Sequence, residues 1–328
     1  MKNSKNSMKA AVINRFGGPE ELVIQGIDVP EIGPHDVLIQ VEYAGVGEWD
    51  IFEREGGYAK MLGIPANFPY VLGSEGAGIV AALGTQVSGL QIGDKVYAAG
   101  FLNPKGGFYA EYVSVDSKYV ARVPNQVTLK EAAVISGVGI TALRGLEDIL
   151  KLKKGESIMI FGASGGVGHM AVQLAKAMGA RVFAVASGED GVELCKKLGC
   201  DAVVDGRNVD IACAANEFAP EGIDAALFMA GGATANEAVK SIRTEGRLAY
   251  PNGIYPLLDI PDEIKSLGYN GDPDTEIINR LNNHIIAKNL KVHVSQTFLL
   301  EDARNAHFAL NNHYLGKLCI QVKGEPID

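Results

Sequence analysis

The sequence predicts an α/β protein in which a β-rich domain is joined to a doubly wound parallel-sheet domain. Three observations support this prediction: short strand-like segments separated by turns up to residue 125, alternating strands and helices from residue 126, and a glycine-rich turn between a strand and a helix. A chain of 328 residues is long enough for two domains of ordinary size.

The first part of the chain, residues 9–125, consists of short stretches rich in Val, Ile and Tyr. In order, these stretches are KAAVIN, ELVIQGI, DVLIQVEYAGV, GIVAALG, DKVYAA, AEYVSV and YVARVP. Turn signals such as RFGGPE, EIGPHD and LQIGDK separate them, as expected between β-strands. Many short strands with such turns are typical of a β-barrel or sandwich.

From residue 126 the pattern changes to a helix followed by strands and helices in alternation. The helix is TLKEAAVISGVGITALRGLEDIL, and the strands are SIMIFG (157–162), RVFAVA (181–186), DAVVD (201–205), IDAALFM (223–229) and GRLAYP (246–251). Apolar strands with helices between them predict a parallel sheet covered on both faces. After Gly271 two helices and two strands follow, and we expect them to complete the first domain. The predicted domains are residues 1–125 with 272–328, and residues 126–271.

Composition and charge argue against several classes of partner. The formal net charge is −9 and Lys and Arg form no cluster, so nucleic acid and anionic membranes are not expected as partners. No apolar run approaches the roughly 18–20 residues of a membrane-spanning helix, and we expect a cytoplasmic protein. The four cysteines form no CxxC pair and are expected to be reduced thiols.

The strongest chemical signal is the glycine-rich segment IMIFGASGGVGHMAVQLAKAMGARV. Gly162, Gly165 and Gly168 follow a predicted strand with the spacing GxxGxxG, and apolar residues then recur with helical periodicity up to Gly179. A turn of this kind lets a diphosphate approach the backbone amides at the start of a helix. His169, just inside that helix, is expected to face solvent. The predicted dinucleotide-binding residues are Gly162, Ala163, Ser164, Gly165, Gly166, Val167 and Gly168.

The end of the second strand of this domain bears on which dinucleotide is bound. An NAD-specific site usually has an acidic residue there, which holds the ribose hydroxyls. Here the strand ends Ala186-Ser187, so that position has no charge, and Ser187 and Arg207 are candidates to bind a 2′-phosphate. NADP(H) is the favoured cofactor, and NAD(H) is the alternative if Glu189 turns toward the ribose.

Several motifs, in order along the chain, resemble the medium-chain dehydrogenase/reductases, and most closely their quinone oxidoreductase branch. The motifs are LGSEGAGIV (72–80), GLQIGDKVYA, GGFYAEYVSV, the glycine-rich segment and the C-terminal GKLCIQV. The resemblance covers roughly residues 8–324. It implies a GroES-like β-rich substrate domain, a Rossmann dinucleotide-binding domain, an active-site cleft between them and, often, a homodimer.

Zinc-dependent members of this family place a cysteine and a histidine where this sequence has Gly47 and Ser74. Glycine has no donor side chain, and a serine hydroxyl is a poor zinc ligand beside a thiolate or an imidazole, so we expect no zinc. The four-cysteine structural zinc lobe of those relatives is also missing from the sequence. Glu75 keeps its family position and is expected to accept hydrogen bonds from nearby backbone amides, with catalysis as the alternative.

Other family positions are retained only in part. The segment GVGEWDIFEREG keeps Asp50 and Arg54, four residues apart, which can form a local ion pair or contribute to substrate binding. A lysine and a tyrosine that in the family help to hold the NADP phosphate are missing, and Gly191 and Gly206 stand near their places. Thr141 matches a position whose hydroxyl in the family lies near the nicotinamide, although a helical threonine can equally bond a backbone carbonyl.

The predicted reaction is hydride transfer from NADPH to a quinone or an α,β-unsaturated carbonyl. Such acceptors delocalise the incoming charge, whereas an alcohol–ketone couple usually needs a Lewis acid or a proton donor. The candidate catalytic residues are Tyr43 and Tyr58, as proton donors with packing as the alternative role, and Asp50. The alternative functions are a zinc-free reductase of another electrophile, or a cofactor-binding sensor or structural protein with little catalysis.

Overall fold

The computed structural model describes residues 7–63, 65 and 67–323 and confirms the α/β fold class. The strands are β1 (Ser7–Ile13), β2 (Val23–Asp28), β3 (Asp36–Val46), β4 (Tyr70–Val71), β5 (Glu75–Leu83), β6 (Lys95–Ala99), β7 (Tyr112–Asp116), β8 (Val120–Arg122), β9 (Ser157–Phe161), β10 (Arg181–Ala186), β11 (Ala202–Asp205), β12 (Ile223–Phe228), β13 (Ile242–Pro251), β14 (Lys265–Tyr269), β15 (Val294–Leu299) and β16 (Lys317–Gln321). The α-helices are α1 (Glu48–Arg54), α2 (Gly57–Leu62), α3 (Leu129–Leu143), α4 (Gly166–Ala177), α5 (Gly188–Lys197), α6 (Ile211–Phe218), α7 (Ala233–Val239), α8 (Thr275–Lys288) and α9 (Ala303–Ala309). In the part of the chain that the structure describes, no helix has both the length and the apolar character needed to cross a bilayer.

The chain divides into two compact units. The first contains the residues up to Gly137, Pro273–Asn279 and the residues from Val294 onward. The second contains Val138–Asp272 and Arg280–His293.

The first unit is built on two β-sheets. Among the described residues, the smaller sheet has the strand order β2-β1-β4, and the larger has β15-β16-β3-β5-β6-β8 with β7 also paired to β3. β3 lies in the middle of the larger sheet and runs antiparallel to β5, β7 and β16. Val37, Ile39 and Val41 are fully buried along it, which is the period-two pattern of a strand with one face in the core.

The second unit contains a parallel sheet packed against helices such as α4 and α5. Over the residues that the structure describes, its strand order is β11-β10-β9-β12-β13-β14, and all these pairings are parallel. Ile158, Met159 and Ile160 of β9 are fully buried, as expected for a central strand with both faces covered. β9 and β10 are neighbours, so the segments that follow them, which contain the predicted cofactor residues, emerge at the same edge of the sheet.

β14 is a strand that the sequence did not predict. It pairs with β13 at the edge of the parallel sheet, and its residues Lys265, Ser266 and Leu267 are exposed. An exposed edge strand lacks the apolar run by which a buried parallel strand is recognised, so the sequence carries little signal for it.

The helix predicted from Thr128 is formed, but its last part has a different geometry. α3 continues as a π-helical segment, Arg144–Ile149, in which the N–H of Leu150 donates to the carbonyl of Gly145 at 2.9 Å. A Cβ on Gly145 would lie 2.4 Å from the hydroxyl oxygen of Tyr269. Glycine therefore lets this hydroxyl approach the helix, where it donates to the carbonyl of Thr141 at 2.9 Å.

Candidate functional site

The predicted dinucleotide turn connects β9 to α4 in the second unit. Gly162 lies in the left-handed region (φ +83°), which favours glycine, and its N–H and that of Ala163 both donate to the carbonyl of Val185 at 3.0 Å. In the first turn of α4, a Cβ on Gly168 would lie 2.1 Å from the carbonyl oxygen of Gly162. The helix can begin directly against the turn because Gly168 has no side chain.

The first turn of α4 presents its backbone amides without a capping side chain. Gly165 precedes the helix in an extended conformation (φ −81°, ψ −175°), and no side chain of the described residues caps it. Of the described atoms, a Cβ on Gly165 would meet only the Gly162 carbonyl oxygen, at 3.5 Å, so no described side chain crowds the residue that precedes the helix. The N–H groups of Gly166, Val167 and Gly168 are the donors with which a helix start binds phosphate. This arrangement fits the diphosphate of the predicted dinucleotide.

His169 is fully buried, so the expectation that it faces solvent is wrong. Its Nδ1 donates to the carbonyl of Gly165 at 3.0 Å, and its Nε2 accepts from the N–H of His293 at 3.3 Å. These partners require a neutral ring with the proton on Nδ1. Since Gly165 immediately precedes α4, the imidazole fixes the carbonyl at the end of the cofactor turn.

The position after β10 is uncharged, as predicted. β10 ends at Ala186, and Ser187 follows as the N-cap of α5, with no hydrogen bond from its side chain to the helix within the described residues. Ala186 pairs with the last residue of β11, so the loops that carry Ser187 and Arg207 follow neighbouring strands. Glu189, the residue on which the NAD(H) alternative depends, is exposed in the first turn of α5.

Asp205 connects these two loops. Its Oδ1 accepts hydrogen bonds from the N–H of Arg207 at 3.0 Å and the N–H of Gly188 at 3.1 Å. These two backbone hydrogen bonds lower the pKa of Asp205 below its usual value. The carboxylate is therefore ionised at neutral pH and brings a negative charge close to the predicted 2′-phosphate position.

Gly191 and Gly206, which stand near the places of two phosphate-binding residues of the family, are both confined by neighbours. A Cβ on Gly191 would lie 2.9 Å from the hydroxyl oxygen of Ser164, and a Cβ on Gly206 would lie 2.8 Å from Cγ1 of Val185. Ser164 is buried within the cofactor turn, and it occupies the space that a side chain on Gly191 would need. The two departures from the family pattern are therefore part of the packing around the turn.

Thr141 is buried near the end of α3 in the second unit. A Cβ on Gly271 would lie 2.1 Å from the Thr141 hydroxyl oxygen, and the Thr141 carbonyl accepts from Tyr269. These contacts give Thr141 a packing role. Its predicted position near a nicotinamide stays a prediction.

In the first unit, Asp50 belongs to a buried polar cluster. Its Oδ2 accepts from the N–H of Gly47 at 2.8 Å and from the hydroxyl of Tyr109 at 3.1 Å. Burial and, to a smaller extent, the nearby carboxylate of Glu53 raise the pKa of Asp50 to about 7. A group with such a pKa can accept and release a proton at neutral pH, which general acid–base catalysis requires. The sequence indicated Asp50 but not its partner Tyr109.

The two tyrosines predicted as proton donors lie on other elements. Tyr43 is half-buried on β3, and burial raises the pKa of its hydroxyl. Tyr58 is half-buried on α2 and packs edge-on against Phe52, with 4.7 Å between the ring centroids. The hydroxyl that reaches Asp50 is that of Tyr109, and a catalytic role for Tyr43 or Tyr58 stays a prediction.

Arg54 turns to partners other than Asp50. Its Nη1 lies 2.8 Å from Nδ1 of His307, its Nη2 donates to Glu55 at 2.7 Å, and its Nε donates to the carbonyl of Gly17 at 2.9 Å. The i,i+4 ion pair considered from the sequence is therefore replaced by contacts that join α1 to α9 and to the segment after β1.

Glu75 is fully buried at the start of β5. Its Oε2 accepts from the hydroxyl of Ser136 at 2.9 Å and from the N–H of Gly137 at 2.7 Å, which confirms the predicted contact with a backbone amide. Its Oε1 lies 2.9 Å from Nζ of Lys317, and both side chains of this ion pair are buried. Sequence reasoning missed Lys317, although it is the only charged residue in the motif GKLCIQV.

The residues at the two zinc-ligand positions of the family do not fit a zinc ion. A Cβ on Gly47 would lie 2.8 Å from Cζ2 of Trp49 and 3.1 Å from Nζ of Lys317, so an indole ring and an ammonium group fill that space. The hydroxyl of Ser74 lies 3.4 Å from a carboxylate oxygen of Glu53. No group of three or more His, Cys, Asp or Glu side chains in the described ranges is arranged to hold a metal ion.

Comparison with known proteins identifies the family. Residues 33–125 match the family described as alcohol dehydrogenase GroES-like domain, and residues 166–255 match the family described as zinc-binding dehydrogenase. The chain is 35% identical to an alcohol dehydrogenase of Rhizobium meliloti over 268 residues, which are 74% of this chain and 76% of the relative. It is 31% identical to human quinone oxidoreductase over 250 residues, which are 76% of this chain and 74% of the relative. The structure of a mycobacterial protein in complex with NADPH superposes with a TM-score of 0.83 and 28% identity, covering 96% of this chain and 100% of the other.

The fold and the glycine-rich turn together define a nicotinamide-dependent oxidoreductase. The chain belongs to the medium-chain dehydrogenase/reductase superfamily, and the comparisons confirm that it is quinone oxidoreductase-like. The first unit contains the GroES-like domain of this superfamily, and the second contains its Rossmann domain.

Proposed function

We propose that the protein is an NADPH-dependent, zinc-free reductase that transfers hydride to a quinone or an α,β-unsaturated carbonyl compound. The observation that carries the proposal is the space beside Gly47, which Trp49 and Lys317 fill where a zinc ligand of the family would extend. Without a Lewis acid the acceptor itself must delocalise the incoming charge, and conjugated acceptors do so. The similarity to human quinone oxidoreductase supports the same acceptor class.

The turn and the two loops beside it would hold the cofactor, and the bound reduced nicotinamide would supply a hydride. Residues 162–168 would bind the diphosphate through the first amides of α4. Ser187 leaves an uncharged position for a 2′-phosphate, and Arg207 on the neighbouring loop can pair with it. The relative solved with NADPH supports this choice, whereas the negative charge of Asp205 favours the alternative, NAD(H).

The buried cluster around Asp50 would provide the proton chemistry. Because its pKa is about 7, Asp50 can hold a proton at slightly acidic pH and lose it at slightly alkaline pH. The Tyr109 hydroxyl, which donates a hydrogen bond to Asp50, can relay a proton between Asp50 and a neighbouring group. Tyr43 and Tyr58 are the alternative donors.

A screen of acceptors tests this function. Oxidation of NADPH and of NADH is followed by absorbance with quinones, 2-alkenals, enones and simple ketones, and the zinc content of the protein is measured in parallel. We expect turnover of conjugated acceptors with NADPH and substoichiometric zinc. Turnover restricted to simple alcohols and ketones with bound zinc would overturn the proposal, and cofactor binding without any turnover would favour a sensor.

We further propose that the protein acts as a cytoplasmic homodimer. β14 is the edge of the parallel sheet and carries the exposed Leu267, and the preceding loop carries the exposed Tyr255 and Leu257. An edge strand with exposed apolar side chains favours pairing with a second copy across a two-fold axis. The four free cysteines fit a reducing compartment.

A further inference from the structure

Two buried hydrogen-bond donors of the first unit, Nζ of Lys317 and Nε1 of Trp49, belong to side chains in contact with each other, and the indole nitrogen has no acceptor among the described residues. Nζ of Lys317 lies 4.4 Å from the centroid of the Trp49 ring. The second donor is Nε1 of that indole ring. Both nitrogen atoms are buried; Nε1 of Trp49 has no acceptor among the described residues, and Nζ of Lys317 has only the carboxylate of Glu75. Because buried donors in folded proteins are nearly always satisfied, this pair points to a bound acceptor.

The ammonium group is held in place by a fixed carboxylate. Oε1 of Glu75 lies 2.9 Å from Nζ of Lys317, while Oε2 is held by Ser136 and Gly137 at 2.9 and 2.7 Å. An ammonium group has three N–H donors, and Glu75 offers it one oxygen. One face of the ammonium group meets the Trp49 ring, and its remaining N–H groups have no oxygen acceptor among the described residues.

Gly47 and Phe101 complete the surroundings of this donor pair. A side chain at position 47 would collide with the Trp49 ring and approach the ammonium group, so Gly47 allows both to keep their places. Phe101 packs edge-on against Trp49, with 5.7 Å between the ring centroids, and both rings are half-buried. An apolar wall beside a fixed positive charge suits a flat molecule that presents one carbonyl oxygen.

We propose that Nζ of Lys317 and Nε1 of Trp49 together bind the carbonyl oxygen of the acceptor and stabilise the negative charge that it gains during reduction. This inference rests on the proposed function and adds the two catalytic donors that the sequence did not indicate. Donors fixed at the place where charge develops lower the barrier because they need no reorganisation during the reaction.

The electrons and protons of the step balance without a proton from Lys317. The hydride would come from one of the C–H bonds of the reduced nicotinamide, which becomes oxidised. When the hydride adds to the β-carbon of an enone, a C–H bond forms and the C=C pair moves to give an enolate, whose charge lies on the oxygen. Water then protonates the α-carbon, and the proton that Asp50 holds converts the resulting hydroxide back to water. With a quinone, the hydride forms an O–H bond at one oxygen, the ring becomes aromatic, and the other oxygen becomes a phenolate, which takes its proton from water. Lys317 and Trp49 donate hydrogen bonds throughout and keep their protons.

The test uses the full-length protein and 4-nitrophenol, whose anion resembles the charged oxygen of an enolate or a phenolate. Binding is followed by the absorbance of the anion in pH titrations with and without protein. We expect the bound molecule to ionise at a lower pH than the free one, because the ammonium group stabilises the anion.

Three variants separate catalysis from structure. Glu75→Gln/Lys317→Met removes the ammonium group without leaving a buried carboxylate unpaired, and Trp49→Phe keeps an aromatic ring but removes the N–H. Lys240→Met, which breaks an exposed 2.8 Å ion pair with Glu237, is the control. We expect the double variant to bind the anion at least about 10-fold more weakly and to lose about 100-fold in kcat for an enone, with unchanged affinity for NADPH. Trp49→Phe should show a smaller loss of both, and the control none.

Each outcome decides the inference. If the double variant keeps the anion binding and the kcat of the wild type, Lys317 only neutralises Glu75 and the inference is overturned. If the double variant does not fold, Trp49→Phe alone decides through anion binding and kcat. If the wild type binds the anion through Lys317 but reduces no quinone or enone, the donor pair stands and the proposed function fails. If it reduces enones without dependence on Lys317, the proposed function stands and the donor pair fails.

Discussion

Nη1 of Arg54 lies 2.8 Å from Nδ1 of His307, and both side chains are buried. Because a guanidinium group only donates hydrogen bonds, Nδ1 is the acceptor and the imidazole is neutral. Burial and, second, the positive charge of Arg54 lower the pKa of His307 to about 3. The contact therefore joins α1 to α9 only as long as His307 stays unprotonated.

This contact predicts a loss of stability in acid. Between pH 6.5 and about 3 the unfolded chain binds a proton at His307 that the folded chain does not, so its contribution is complete above pH 6.5 and falls as the pH decreases. His307→Asn keeps an acceptor for Arg54 but does not titrate. We expect the free energy of unfolding of the wild type, relative to that of His307→Asn, to fall by about 1–2 kcal/mol between pH 6.5 and 5. Urea unfolding at several pH values measures this difference. Parallel curves would contradict the prediction.

Asp50 predicts the opposite dependence on pH. Its pKa is raised from 3.8 to about 7, so the folded chain binds a proton more tightly than the unfolded chain, and stability is lost as the pH rises through this range. The free energy of unfolding of Asp50→Asn, relative to that of the wild type, should therefore rise between about pH 4 and pH 7, by up to about 4 kcal/mol. Above pH 7 this difference should stay constant. The same unfolding series measures this gain. Asp262→Asn, at an exposed carboxylate, is the control, and an equal gain there would contradict a role for burial.

Two glycines of the cofactor turn should respond differently to the same substitution. Gly168→Ala places a Cβ 2.1 Å from the Gly162 carbonyl oxygen, so we expect it to destabilise the protein without cofactor by about 1–3 kcal/mol. Gly165→Ala meets its nearest described atom only at 3.5 Å, so we expect an unchanged melting temperature without cofactor and at least about 10-fold weaker NADPH binding. Thermal unfolding and isothermal titration calorimetry measure the two effects. Unchanged NADPH affinity in Gly165→Ala would place the diphosphate elsewhere.

The residue after β10 should control the choice of cofactor. Ser187→Asp introduces a charge that repels a 2′-phosphate and can hold ribose hydroxyls, so we expect the preference to move from NADPH to NADH. The measurement is the rise in melting temperature with each cofactor at equal concentration. Glu189→Gln, at an exposed position two residues on, should leave the preference unchanged. A wild type stabilised more by NADH than by NADPH would refute the NADP(H) assignment.

If two copies of the chain pair through β14, a single substitution on this strand should abolish the dimer. Leu267→Lys places a charge on the exposed edge strand and should convert a dimer into a monomer in light scattering coupled to size exclusion. Ile92→Lys, at an exposed apolar residue of the first unit, is the matched control and should remain dimeric. A monomeric wild type would exclude the proposed dimer.

The sequence predicts those parts of the fold whose signal is local. β3 and β10 coincide with the stretches DVLIQVEYAGV and RVFAVA, because an uninterrupted run of β-branched and apolar residues determines a buried strand. The signal for the glycine-rich turn is also local, because the strand, the turn and the helix follow one another directly in the sequence. β14 was missed because its exposed residues carry no such pattern.

The candidate site depended more on contacts between distant segments. Lys317 meets Glu75 because β16 and β5 come together in the folded unit, and Tyr109 meets Asp50 because the segment before β7 packs against α1. Nothing in the spacing of these residues along the chain indicates the contacts. His169 was misplaced for a related reason, since its partner His293 lies far from it in sequence.

The chain passes from the second unit to the first between His293 and Val294. There the N–H of His293 donates a hydrogen bond to the imidazole of His169. The same imidazole donates to the carbonyl of Gly165, just before the first turn of α4. The hydrogen–deuterium exchange rate of the His293 amide therefore depends on how firmly the turn is held, and it can be measured without an added label. It should slow when a dinucleotide stiffens the turn, so a single backbone site reads out cofactor occupancy where the polypeptide leaves the Rossmann domain.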